Sequence, residues 1–176
     1  MIQSLTKEEL LALLGAARRR RERDWLLILV TFWHGLRASE AIQLTRDSFV
    51  DGYLTVRRLK GSMKTRQELV SHENPLLDER AGVFAFAANA RSNQRLFPLT
   101  RRRFGQLIEQ YGAEAGLERA KCHPHVLKHT IAMFSIGSGI ENVRQYLGHK
   151  SISSTGAYLK VSDADAARAV RGSVRL

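Results

Sequence analysis

Apolar positions along most of this chain recur at the three- and four-residue spacing of a helix, and one stretch alternates instead. Leu5-Thr6-Lys7-Glu8-Glu9-Leu10 has the form of a capping box with a hydrophobic staple: Thr6 at the N-cap, Glu9 three residues on, and Leu5 set to pack on Leu10. A helix to about Arg20 is expected. Asp24 opens a second, through Trp25, Leu26, Ile28, Leu29 and Phe32, ending near Gly35, and a short third covers Ser39 to Leu44. From Asp51 the period becomes two: Leu54 and Val56 alternate with Tyr53, Thr55 and Arg57. A turn-like Gly61-Ser62-Met63-Lys64-Thr65 follows, and Gln67 to Ser71 reads as the return strand of a hairpin. Helical spacing resumes at Leu76 to Ala90, Thr100 to Ala113, His125 to Ser138 and Glu141 to Leu147. The pattern predicts an α+β fold, mostly helical, with a small antiparallel sheet.

With 176 residues there is room for one cored domain. No internal repeat interrupts it, and the loop-like break around Asn89 to Asn93 is too short to separate domains. Residues 1–176 therefore read as a single domain. A 44% hydrophobic content with three prolines fits a folded chain rather than a disordered one. The formal charge of +11 calls for a polyanionic partner, nucleic acid or an anionic membrane surface. The membrane option weakens because the longest apolar run, Trp25 to Trp33, is about half of the ~20 residues a spanning helix needs. Glu8, Glu9 and Lys7 among the first leucines also argue against a signal peptide. A lone Cys122 forms no internal disulfide and fits a reducing cytoplasm.

The polar residues that stand in turns and on helix faces suggest phosphodiester chemistry. Tyr158 is a candidate nucleophile. With a phenol pKa near 10, only about one tyrosine in a thousand is ionised at neutral pH, a deficit of roughly 4 kcal/mol, so it needs a base and cationic neighbours. His125 is the candidate proton acceptor. Arg37, after Gly35-Leu36, offers planar donors to a phosphate, and Lys128 lies three residues beyond His125 on the same helix face. His149 precedes Tyr158 by nine residues, enough for a turn and a short helix to return the phenol. Lys60, at the hairpin tip, or Lys64 beside it, can protonate a leaving oxygen. The runs Arg18 to Arg21 and Arg101 to Arg103 suit DNA-backbone contacts or a solvated helix face. Cys122, His123, His125 and His129 fit no closed zinc pattern, so neither a metal nor another cofactor is expected.

Taken in order, these residues resemble the catalytic domain of the tyrosine recombinases, the phage integrase family. Gly35-Leu36-Arg37-Ala38-Ser39-Glu40 is similar to the family's first-arginine motif, and His123-Pro124-His125-Val126-Leu127-Lys128-His129-Thr130 to its H-x-L-R-H-T motif. Leu147-Gly148-His149 and the approach Ser153-Ser154-Thr155-Gly156-Ala157-Tyr158 complete the likeness, which covers Leu5 to Val161. It implies Arg37, Lys60, His125, Lys128, His149 and Tyr158 as catalytic residues, with Glu40 supporting Arg37 from behind. Arg58, Lys64, Arg101, Arg102 and Arg103 are DNA-contact candidates. Lys128 departs from the family, which has arginine there, and keeps a weakened or binding-only relative open as an alternative, beside a type IB topoisomerase.

The resemblance also implies that Tyr158 attacks the scissile phosphate to form a 3′-phosphotyrosyl link, conserving bond energy so that neither ATP nor metal is required. The partners implied are double-stranded DNA, three further copies in a tetramer on DNA, and accessory DNA-bending proteins. The protein alone is expected to be a monomer or weak oligomer, in a bacterial or phage-encoded, cytoplasmic, DNA-associated setting. Residues 161–176, with Ala166, Ala167 and Val170 at helical spacing, are a candidate segment for exchange between protomers. Most members carry an N-terminal DNA-clamping domain. This chain begins where the catalytic domain would, as in the short recombinases that invert fimbrial promoters, or as in an excised fragment.

Overall fold

Helix α2 (Glu22–Trp33) is the axis around which the other elements gather, because every residue from Asp24 to Phe32 is buried. A helix that is apolar all round must be enclosed, and α1 (Lys7–Arg20), α4 (Glu79–Ala87) and α6 (His125–Ser135) pack against it. The computed structural model describes residues 3–57 and 64–148. Its other elements are α3 (Ala38–Ala41), β1 (Phe49–Val50), β2 (Tyr53–Val56), β3 (Thr65–Glu68), α5 (Arg101–Glu114) and α7 (Ile140–Tyr146). The expected mostly helical fold with a small antiparallel sheet is what forms. Among the described residues no helix is long and apolar enough to cross a membrane.

The capping box on α1 is present: Thr6 Oγ1 accepts the Glu9 N–H and Glu9 Oε2 accepts that of Thr6. Lys121 then binds the same Glu9 carboxylate at 2.7 Å. Asp24, expected to open α2, lies inside it instead, and the helix starts at Glu22. The carboxylate is spoken for in the interior, where Tyr111 Oη donates to Oδ2 at 2.7 Å and Arg23 Nε to Oδ1 at 2.8 Å. Burial first, and then the Asp24 hydrogen bond and charge, push the Tyr111 phenol up to about 12.

Three further boundaries differ from the sequence reading. The helix α3 stops at Ala41 rather than Leu44, since Arg95 takes the Ile42 carbonyl with Nε and Nη2 and Leu96 N–H takes the Leu44 carbonyl, drawing the chain out of the helix. Helix α4 begins at Glu79, not Leu76, because Asp78 caps it by accepting the Ala81 N–H. The hairpin gains a strand: Phe49 pairs with Leu54 and Val50 with Tyr53, while Tyr53 to Val56 pair with Glu68 to Thr65. The return strand thus runs from Thr65 to Glu68, short of the expected Ser71. Asp51 and Gly52 both adopt positive φ, the two-residue turn whose twist matches an antiparallel hairpin.

The corner after α2 matters most for the site. Gly35 N–H bonds the Phe32 carbonyl and Leu36 N–H bonds that of Thr31. This Schellman closure needs its central residue left-handed, and Gly35 has φ 56°. A Cβ on Gly35 would also overlap Leu147 Cδ2, so the corner and the end of α7 approach too closely for any side chain.

Two stability outcomes are expected. Tyr111→Phe strands one oxygen of the buried Asp24 carboxylate, should lower unfolding free energy by about 2 kcal/mol, and should lower Tm by roughly 4–8 °C. Gly35→Ala adds left-handed strain to overlap with Leu147 and should cost about 3 kcal/mol in urea unfolding; an unchanged midpoint would show that the corner relaxes freely.

Candidate active site

Arg37 sits at the N-cap of α3, where the chain leaves the Gly35 corner. Glu40 holds it twice: Oε2 accepts the Arg37 backbone N–H at 2.8 Å and Oε1 accepts Nη1–H at 2.9 Å. Glu40 is 4% exposed, whereas the Arg37 side chain reaches the surface. The carboxylate therefore fixes the guanidinium from the interior side, as the sequence reading expects of Glu40, and leaves its outer edge facing a groove.

That groove, about 450 Å³, is walled by the start of α3, the start of α5 and the turn into α6. Arg37, Arg101, Arg102, His123 and His125 line it, with no carboxylate among its wall residues. Arginines in the first turn of α5 oppose the helix dipole, and no acidic residue balances them there. Thr100 caps the same turn by accepting the Arg103 N–H. Such an arrangement is electrostatically unfavourable without an anion and suited to one that carries several charges.

His125 opens α6 and is exposed. Partial desolvation, then the positive fields of Lys128, His123, Arg37 and Arg101, hold its pKa below the ordinary imidazole value. A neutral imidazole at neutral pH is the form that accepts a proton. His129 is shifted the same way, by desolvation and then by His125, and the two rings lie 5.9 Å apart, edge to face. Lys128 is 5% exposed and sits within α6, so the His125 pair partner is an interior cation rather than a surface one.

The structure thus brings together Arg37, Glu40, His125, Arg101 and Arg102. Lys64 lines a second depression of about 320 Å³ with Ser39, Glu40 and Thr55, which shares Ser39 with the groove. Arg103 is not among the groove-lining residues and reaches toward Gln106. Arg18 turns to the Pro75 carbonyl and over the Trp25 ring, and Arg20 pairs with Glu114, so part of the first arginine run serves the fold. Lys60, Arg58, His149 and Tyr158 lie outside the described residues. His123 is a groove residue that the sequence reading weighed only as a metal ligand; its place two residues before His125, across Pro124, was the available signal.

Both the sequence and the fold have relatives among known proteins. Tyrosine recombinase XerA of Pyrococcus furiosus is 32% identical over 174 residues, covering 91% of this chain and 58% of its own length. Type 1 fimbriae regulatory protein FimB of Escherichia coli K12 is 32% identical over 163 residues, covering 86% and 80%. The chain spans less than two thirds of the XerA relative. Among solved structures, XerH site-specific recombinase bound to difH substrate in a pre-cleavage complex superposes with a TM-score of 0.74 at 25% identity, over 95% of this chain and 53% of that one. The catalytic domain of bacteriophage HP1 integrase, at 22% identity, shares the fold with a TM-score of 0.68 over 98% and 96%. Residues 3–165 match the phage integrase family, and with the motifs and the fold in agreement this chain belongs to it.

Proposed function

We propose that this chain is a catalytic domain of a site-specific DNA recombinase, cutting and rejoining double-stranded DNA through a 3′-phosphotyrosyl intermediate on Tyr158. The observation that carries the reading is the groove lined by both Arg37 and His125, with no carboxylate among its described wall residues and with His125 held below the ordinary imidazole pKa. Its support from relatives is that XerA and FimB are a named recombinase and a named fimbrial regulator, and that XerH was solved on its DNA substrate.

In this mechanism the Tyr158 phenol attacks the scissile phosphorus and passes its proton to His125. Arg37 and His149 neutralise the two non-bridging oxygens as charge grows on them, and Lys128 adds its positive field from inside α6, the effect that preorganised cations contribute most strongly. Lys60, or Lys64, protonates the departing 5′-oxygen. A 5′-hydroxyl from a second strand then displaces Tyr158 and restores a phosphodiester. Arg101 and Arg102 take flanking phosphates, and a tetramer on two DNA sites supplies the second strand. The phosphotyrosyl bond conserves the energy of the broken link, so the cycle needs no cofactor. Lysine at 128 keeps the charge while giving up the planar fork of arginine, which slows the step without abolishing it.

Since the target sequence is open, the test uses a pool of nicked duplexes with a randomised core. An SDS-resistant adduct between protein and 3′-end should form, and sequencing the captured strands should return one motif. Tyr158→Phe should abolish the adduct while leaving DNA affinity within about twofold; an adduct that persists removes Tyr158 from the mechanism. The lowered His125 pKa fixes the sign of the pH profile. The base is competent above that pKa and is lost as pH falls through it, so adduct formation should hold steady down to about pH 6.5, the ordinary imidazole value, and fall below it. His125→Gln should lower the rate about a hundredfold and remove the acid limb.

A further inference from the structure

Behind the Arg37 corner lies a buried polar cluster that takes no part in the chemistry described above. His34, at the C-cap of α2, and Glu79, the first residue of α4, are both 0% exposed, and Gln67 on β3 is 8% exposed. His34 Nδ1 lies 2.7 Å from Gln67 Oε1 and Nε2 lies 2.7 Å from Glu79 Oε1. The other Glu79 oxygen accepts the Val70 N–H. Gln67 Nε2 donates to the Tyr146 carbonyl at 2.7 Å, and Tyr146 Oη donates to the Trp33 carbonyl at 2.6 Å.

These contacts fix their own polarity. With the Gln67 amide nitrogen committed to the Tyr146 carbonyl, its oxygen faces the ring, so Nδ1 of His34 must carry a proton. Nε2 lies against one oxygen of Glu79, whose other oxygen accepts the Val70 N–H. Such a cluster is not the cheapest filling for a core, where apolar residues of equal volume commonly do as well or better. What directional bonds add is a unique arrangement of the elements they join. Here those elements are the end of α2 that leads to Arg37, the return strand β3 of the hairpin, the start of α4, and the end of α7 that leads through Leu147 and Gly148 toward His149.

We infer that His34, Gln67 and Glu79 form a positioning clamp that holds the Arg37 corner, the hairpin and the C-terminal end of α7 in the register that DNA cleavage needs. The inference rests on the recombinase reading above. None of the three touches the reacting atoms; they act through Arg37 and through the segment that follows Tyr146. Gly35 and Leu147 meet in the same place, so the clamp adds directional bonds to an approach already set by close packing.

The test uses Gln67→Glu, which keeps side-chain length and an acceptor for the His34 ring but puts an oxygen against the Tyr146 carbonyl. On the duplex recovered from the random pool, adduct formation should slow at least about tenfold while DNA affinity stays within about twofold. Tyr146→Phe, which removes the hydroxyl bond to Trp33 and introduces no buried charge, should slow it about threefold, so it decides the matter if Gln67→Glu does not fold. A wild-type rate in either folded variant overturns the clamp, as does a loss that falls equally on affinity and rate. Nitrogen-15 NMR of the wild-type chain supplies an activity-independent readout: a slowly exchanging proton on His34 Nδ1 is expected, and a bare Nδ1 overturns the clamp. A wild-type chain that forms no adduct sinks the recombinase reading instead, whatever the ring shows, and leaves the clamp to be judged by that proton.

Discussion

The close approach of Gly35 and Leu147 is the constraint on which the site depends. A buried helix has to end, and α2 ends in a Schellman closure whose central residue must be left-handed. Glycine satisfies the backbone, and its missing side chain also leaves the space that Leu147 Cδ2 occupies. One atom's absence therefore brings two remote stretches together: the turn that presents Arg37 and the turn that leads to His149. The helix α2 supplies the rigidity, since its burial on all sides leaves the corner no direction in which to drift.

Charge is organised around the same point. A chain of formal charge +11 must place its carboxylates somewhere, and the structure keeps them off the groove wall. Glu40 is turned inward onto Arg37, Asp24 is enclosed by Tyr111 and Arg23, Glu9 is taken by Lys121, and Asp47 accepts from Ser92 and Asn93. Each of these pairings has a local structural reason, and among the described residues the groove is lined by three arginines and two histidines with no carboxylate. Phosphate contacts of that type position a duplex without reading its sequence, so selection of a target has to come from other surfaces.

Much of this was legible in the sequence because it rests on local rules. The Thr6–Glu9 box, the glycine that closes α2, the Arg37–Glu40 spacing and the helical placement of His125 with Lys128 all involve residues at most four apart. The third strand was legible too: Asp51-Gly52 is a strong two-residue hairpin signal, and it was passed over because Phe49-Val50 is too short to show alternation. Asp24 misled because an acidic residue near a helix start imitates a cap, and only Tyr111, 87 positions away, shows that it is a core group. The His34 cluster had no signal at all. Its partners stand 33 and 45 residues away, on a strand and a helix start, and nothing in the spacing joins them.

The cations and the clamp belong to one physical problem. Lys128, His123, Arg37 and Arg101 each depress the His125 pKa, and the arginines among them, Arg37 and Arg101, repel one another across the groove they line. A fold that permitted the α2 corner and the α6 start to separate would take the Arg37 field off His125 and lose the site. Packing of α2 on α6 opposes this separation, while the directional bonds behind the corner tie α2 to β3, to the start of α4 and to the end of α7. When a phosphate enters, its negative charge offsets the fields that lowered the His125 pKa, and the imidazole's affinity for a proton rises. On the recombinase reading proposed above, the imidazole that takes the Tyr158 proton is neutral in the empty groove and a stronger base once the phosphate is bound, a coupling that follows from placing a histidine among fixed cations.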